Sequence, residues 1–235
     1  MSYKIITKNT KVKSFHYKMA RYTQYRSRRP VYKRTYRRRK ANNGGLWNIA
    51  KKAAGKVVKY YLNPEYKFLE AVNTVTPSNT GSVQPLSIIT QGDQNTMRSG
   101  NEIKVTSHLM RATITKAAAA TATKVRCIIF SDVSSNGAVP ALADVLQTAS
   151  QDSPVNRVNG TRFTIIMDRS YVLDNDKPMK QMYYYKKLQH HIHYLTTDNT
   201  NGSLGQGQIY FLTISNESTN APQVAYNSRM RFLDN

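Results

Sequence analysis

No aspartate or glutamate occurs in the first 62 residues of this 235-residue chain, although the whole chain holds 13 acids and 35 Lys or Arg. Nineteen basic residues lie in that acid-free stretch, which leaves 35 − 19 = 16 for residues 63–235 and divides the net charge of +22 into +19 and +3. A segment with no counter-charge of its own attracts a polyanion. Cysteine is nearly as scarce, and Cys127 alone excludes an intramolecular disulfide framework or a cysteine-based zinc cluster. No apolar run approaches the roughly 18 residues of a membrane span. The N-terminus, MSYKIITKNTK, lacks the apolar stretch of a secretory signal. A soluble protein made in the cytosol or nucleus is expected.

The basic residues are densest between Arg26 and Lys40. Fifteen Lys or Arg in the first 40 residues leave too little apolar surface to offset the entropy of ordering the backbone, so residues 1–45 are expected to be a disordered arm. Its candidate nucleic-acid-binding residues are Arg21, Arg26, Arg28, Arg29, Lys33, Arg34, Tyr36, Arg37, Arg38, Arg39 and Lys40. Such a chain binds phosphates by displacing condensed counterions, strongly, with salt sensitivity and without regard to sequence. Six tyrosines, at 3, 17, 22, 25, 32 and 36, are interleaved with the charge. Each ring can stack an open base for roughly 1–3 kcal/mol, which favours a single strand over a duplex. Solubility alone rarely needs 19 uncompensated charges. The run Arg34 to Lys40 also reads as a nuclear import address.

After Asn42 to Gly45 comes LWNIAKKAAGKVVKYYL. At 100° per residue, Leu46, Ile49, Ala50, Ala53, Val57, Tyr60 and Tyr61 fall on one side and Lys51, Lys52, Lys56 and Lys59 on the other. This spacing predicts an amphipathic cationic helix over 46–62, ended by Asn63-Pro64. It can extend the core, support the arm on nucleic acid, or enter a bilayer interface through Leu46, Trp47 and Ile49.

From Ser82 onward, β-branched and aromatic runs alternate with Gly, Asn, Asp, Ser and Pro clusters. Eight strands are expected: 83–89, 102–115, 122–132, 163–173, 180–187, 189–195, 208–215 and 223–233. The long connection 133–162 carries PALADVLQTA, whose spacing suits about two helical turns. The fold class is all-β: a single jelly roll, an eight-stranded antiparallel sandwich over residues 63–235.

Catalytic and metal chemistry finds little support. His191-Ile192-His193 puts two imidazoles on one strand face beside His190, a pair also found in metal-dependent rolling-circle nickases. Those enzymes place a tyrosine and a lysine after the histidines, whereas Tyr183, Lys186 and Lys187 precede them here. Cys127 reads as a core residue of KVRCIIF. Asp168, Asp174 and Asp176, or Asp144 with Asp152, can gather a cation, but turn carboxylates are the commoner explanation. The sequons at Asn159 and Asn216 mean little without secretion. There is no phosphate loop, nucleophile elbow or zinc spacing. The expectation is no enzyme, no cofactor, no catalytic residue and no metal site.

LNPEYKF (62–68), TGSVQPLSIITQGDQNTMRSGNEIKV (80–105), PALADVLQ (140–147) and KKLQHHIHY (186–194) carry a resemblance. In them the chain resembles the capsid proteins of small circular Rep-encoding single-stranded DNA viruses whose shell protein is similar to that of satellite tobacco necrosis virus. Gln91-Gly92-Asp93 followed by Arg98-Ser99-Gly100-Asn101 and a strand is the most specific part. The resemblance implies a jelly roll, many copies closing into an icosahedral T=1 virion, and an arm pointing inward to packaged DNA, with RNA as the other cargo. Such arms look like the stretch beginning Met19-Ala20-Arg21-Tyr22, which makes Met19 the expected start. Assembly is expected in the host nucleus, with nuclear import receptors as further partners. Nineteen charges on roughly 60 copies give about 1,100, enough to offset a large share of a genome of a few thousand phosphates.

Two alternatives come from other classes. One is a membrane-active protein working through 46–62. The other is a single-strand-binding β-barrel module, which needs basic and aromatic residues gathered on one face, whereas along these strands the charges are scattered.

Overall fold

The chain is described here from a computed structural model, which covers Lys51, Lys52 and residues 66–234. Of the helix expected over 46–62, only Lys51 and Lys52 are described, both helical and exposed.

Eight strands follow: β1 Tyr66–Val75, β2 Ser82–Pro85, β3 Glu102–Thr115, β4 Thr123–Asp132, β5 Phe163–Leu173, β6 Met179–His193, β7 Gln208–Ser215 and β8 Gln223–Asp234. They form two antiparallel four-stranded sheets, ordered β1-β8-β3-β6 and β2-β7-β4-β5. Each sheet draws neighbours from distant parts of the chain, the interleaved Greek-key order of a jelly roll. The expected fold class is therefore the observed one.

Three expected strands match at both ends, and those at 122–132 and 223–233 each miss by one residue at one end. The expected and observed totals agree at eight only because two differences offset each other. The strands read at 180–187 and 189–195 are one, β6, which passes Leu188 through an irregularity opposite Val105 and Ser107. Such a bulge adds a residue without ending the pairing. β1 was not anticipated, because Glu70, Ala71 and Asn73 are poor strand formers. Its ten-residue pairing with β8 from Tyr66↔Leu233 to Val75↔Val224 makes it a strand. The strand expected at 83–89 is only Ser82–Pro85.

The space between the sheets is filled by Ile103, Val105, Met110 and Ile114 of β3, with Val125, Cys127, Ile129 and Phe211 facing them. Cys127 has no exposed surface, and burial pushes its thiol pKa up to about 12. It is a core residue.

The two outer faces differ. β7 is buried along its whole length, and so is β4 apart from the half-buried Lys124. The outward residues Ile128, Phe130, Tyr210, Leu212 and Ile214 form a second apolar cluster with Val145, Leu146 and Leu204. The connection 133–162 thus covers this sheet as a lid. Its helix α1, Leu142–Val145, has one turn rather than the expected two. Asp144 accepts a hydrogen bond from the Ala141 amide at its start (3.0 Å).

The lid is clamped at both ends. Asp132, last in β4 and fully buried, accepts from Arg162 Nε (2.9 Å) and Nη2 (2.8 Å), while the Val133 amide donates to the Arg162 carbonyl (3.0 Å). Arg162→Ala would leave a buried carboxylate without its cation. Arg162 itself is partly exposed, so water can replace part of that contact and the expected loss is about 2 kcal/mol, read as a lower urea midpoint. An unchanged midpoint would show that the clamp is not a stabilising contact.

Candidate nucleic-acid interface

Among the described residues, the sheet β1-β8-β3-β6 carries no such lid. Nothing among them covers its outer face, and the alternation along β8, with every second residue from Val224 to Phe232 buried, shows which side chains point out. Because neighbours across the sheet are fixed by register, rows can be followed over all four strands. One row runs Phe68, Arg231, Ser107, Lys187. The next runs Glu70, Arg229, Leu109, Tyr185, and the third Val72, Asn227, Arg111, Tyr183. Tyr66, Leu233, Lys104 and His191 form a row on the opposite side of the first.

These rows place Lys104, Arg111, Lys187, Arg229 and Arg231 on one surface with Tyr66, Phe68, Tyr183 and Tyr185. Tyr66, Tyr183 and Tyr185 are each more than half exposed. Among the described residues, only Glu70 and Glu102 oppose this charge. Glu70 accepts from Arg229 Nε at 2.5 Å, and Glu102 Oε1 lies 2.7 Å from His191 Nδ1. Arg111, Lys187, Arg231 and Lys104 have no carboxylate partner among the described residues. The scattering of charge along the strands is thus corrected by the fold, since β1, β3, β6 and β8 bring those residues onto one face.

The surface is not flat. A groove of about 740 Å³ crosses all four strands between the rows of Val72 and Thr74, and depressions of about 390 and 360 Å³ share Tyr66, Thr106 and Lys187. Open aromatic rings beside uncompensated cations, with relief between them, are what an unpaired polyanion requires.

The histidines singled out in the sequence divide. His191 and His193 flank Glu102, with His193 Nε2 3.9 Å from the same carboxylate oxygen, while His190 turns away and sets its Nε2 2.6 Å from the Gly207 carbonyl. Gly207 sits at φ +81°, and a Cβ there would come within 2.1 Å of the His191 carbonyl oxygen, so this approach needs glycine. Four of the five carboxylates named as cation candidates have other partners, Asp144 with the Ala141 amide already described. Asp168 takes Arg126 in a bidentate pair (2.8 and 2.6 Å), Asp152 takes Lys124, and Asp174 accepts from the Lys177 amide (2.6 Å). No group of three or more metal-ligating side chains occurs among the described residues.

Arg21, Arg26, Arg28, Arg29, Lys33, Arg34, Tyr36, Arg37, Arg38, Arg39 and Lys40, with Leu46, Trp47 and Ile49, lie outside the described residues. The face of β1-β8-β3-β6 is a candidate surface that the sequence does not reveal as one patch. Strand alternation could have supplied its residues one strand at a time, but not the order that assembles them.

The family model described as Satellite tobacco necrosis virus coat protein matches residues 37–235. A capsid protein of Satellite tobacco necrosis virus 1 is 34% identical over 128 residues, 52% of this chain and 64% of that protein. The alignment thus spans less than two thirds of that relative's length. A coat protein of Maize white line mosaic Satellite virus is 24% identical over 212 residues, 86% of this chain and 96% of that protein. A solved structure from Cucumber Leaf Spot Virus aligns with a TM-score of 0.28 at 9% identity, over 72% of this chain and 57% of that one, a likeness too slight to bear on the fold.

Proposed function

The chain belongs to the satellite tobacco necrosis virus coat protein family, and from that premise we propose that it is the structural subunit of a small viral shell that takes up a single-stranded genome. Copies of the jelly roll close into an icosahedron of roughly 60 subunits. Residues 1–45 and the bare face of β1-β8-β3-β6 turn toward the cargo. The observation that carries this reading is the asymmetry of the sandwich: one outer face sealed by the lid, the other left open with four cations that lack a carboxylate partner among the described residues. The role is one of containment and charge neutralisation, without catalysis.

The relatives are named for satellite viruses and not for circular Rep-encoding viruses, so the family supports the coat protein and leaves the genome type open. DNA as the cargo rests on the sequence resemblance alone. Import into the host nucleus through Arg34 to Lys40 belongs to the same reading and is supported by the charge run.

Expression of the full chain tests the proposal. Electron microscopy is expected to show closed particles, and their extracted nucleic acid is expected to be degraded by a single-strand-specific nuclease; DNase against RNase then identifies the sugar. A chain lacking residues 1–45 is expected to keep its β-sheet circular dichroism and to lose most of its nucleic acid. Monodisperse monomers, or undiminished uptake by the shortened chain, would overturn the assignment.

A further inference from the structure

We propose that the groove across β1, β8, β3 and β6 is a stacking site for an unpaired nucleotide of the packaged strand, so that the folded body holds the genome as well as the basic segment does. The inference rests on the packaging reading above and adds a defined place to it.

The groove has the parts such a ligand needs, each on a rigid strand. Its floor is shallow-chained, because Ala225 and Thr113 sit between longer neighbours. At one end stands Tyr183, 56% exposed on the edge strand β6, with the Arg111 guanidinium carbon 5.7 Å from its ring centroid. A base laid against this ring gains stacking that every base can supply. Arg111, with no carboxylate partner among the described residues, is placed to meet the attached phosphate. Asn227 and Gln181 line the groove with amides, which donate and accept and so can follow base edges. Val72, 78% exposed, closes the far end with apolar surface. Three inter-strand spacings of about 4.8 Å give a track of roughly 14 Å.

The charge selects the occupant. Among the described residues the face holds five Lys or Arg against two Glu, so a cationic partner is disfavoured and a second copy would have to bring carboxylates to this surface. An open polyanion satisfies the cations and covers the rings together. A duplex cannot, since its bases are already stacked and paired.

The test is binding of a short fluorescent single-stranded oligonucleotide to the full chain across a series of salt concentrations. Tyr183→Ala is expected to weaken binding about tenfold while leaving the salt slope unchanged, and Tyr183→Phe to bind as the native chain does. Arg111→Gln is expected to lower the salt slope by about one. Tyr183 is exposed, so its truncation leaves the core intact. Native-like binding by Tyr183→Ala, combined with loss of binding on deleting residues 1–45, would overturn the groove and leave packaging standing. Native-like binding by both variants would sink both readings. If Tyr183→Ala impaired particle formation at native affinity, the face would be a contact between copies and the nucleotide site would be wrong.

Discussion

Arg98→Ala is expected to lower stability by about 4 kcal/mol, among the largest losses available to a single substitution in this chain. Arg98 has no exposed surface. Its Nε donates to the Ile89 carbonyl (3.0 Å), Nη1 to the Gly100 carbonyl (2.6 Å) and to Asn101 Oδ1 (3.0 Å), and Nη2 to the Thr196 carbonyl. The guanidinium carbon also lies 4.2 Å from the centroid of the Tyr194 ring, whose hydroxyl donates to the Ser87 carbonyl (2.8 Å). One side chain therefore ties the 89–101 segment to the residues that follow β6. Burial lowers its pKa, and Tyr194 and Asp234 act in the opposite direction. Truncation leaves four acceptors without their donor, at about 1–3 kcal/mol each before water enters. Lysine is no remedy, because one ammonium cannot reproduce a planar fork spanning four acceptors. Urea denaturation followed by circular dichroism measures the loss in both variants. A midpoint close to native for Arg98→Lys would refute the geometric argument.

Acid is expected to weaken the fold through His108, on the core side of β3. Its Nε2 lies 2.8 Å from Ser228 Oγ, its ring meets Tyr184 edge-on at 5.4 Å, and its Nδ1 has no hydrogen-bond partner among the described residues. Burial pushes its pKa down from 6.5 to about 4. In the unfolded chain the imidazole takes a proton near pH 6.5, whereas in the folded chain it resists protonation until about pH 4. Between those values the unfolded state binds more protons, so stability falls as pH falls. The slope is about 1.4 kcal/mol per pH unit, and the loss is about 3 kcal/mol once pH passes below 4. His108→Gln keeps a polar contact for Ser228 and cannot titrate in this range. The native chain should lose about 3 kcal/mol more than this variant between pH 7 and pH 4, read from urea midpoints at both. Parallel losses would assign the acid sensitivity to carboxylates instead.

Much of the sandwich was legible residue by residue. The strands at 102–115, 163–173 and 208–215 declare themselves by alternation and β-branched content, and their ends coincide with the observed ones. Cys127 was legible as core from its neighbours Val125, Ile128 and Ile129. Other features were not. β1 contains residues that form strands weakly and is made by its partner β8, about 150 residues later in the chain. The two-sided burial of β4 and β7 depends on a lid that local patterning does not announce. Arg98, read as part of a motif, gave no sign that it would be buried, since arginine is among the residues least often found without solvent.

The division of charge, +19 before residue 63 and +3 after it, is a property of the sequence alone and needs no coordinates. So is the β character of the body, because side-chain branching and period-two alternation act within a few residues. Which face of the sandwich would stand open was decided only by tertiary structure. Arg111, Tyr183, Asn227 and Val72 lie on four strands, and only the β1-β8-β3-β6 order, set by hydrogen-bonded register, makes neighbours of them.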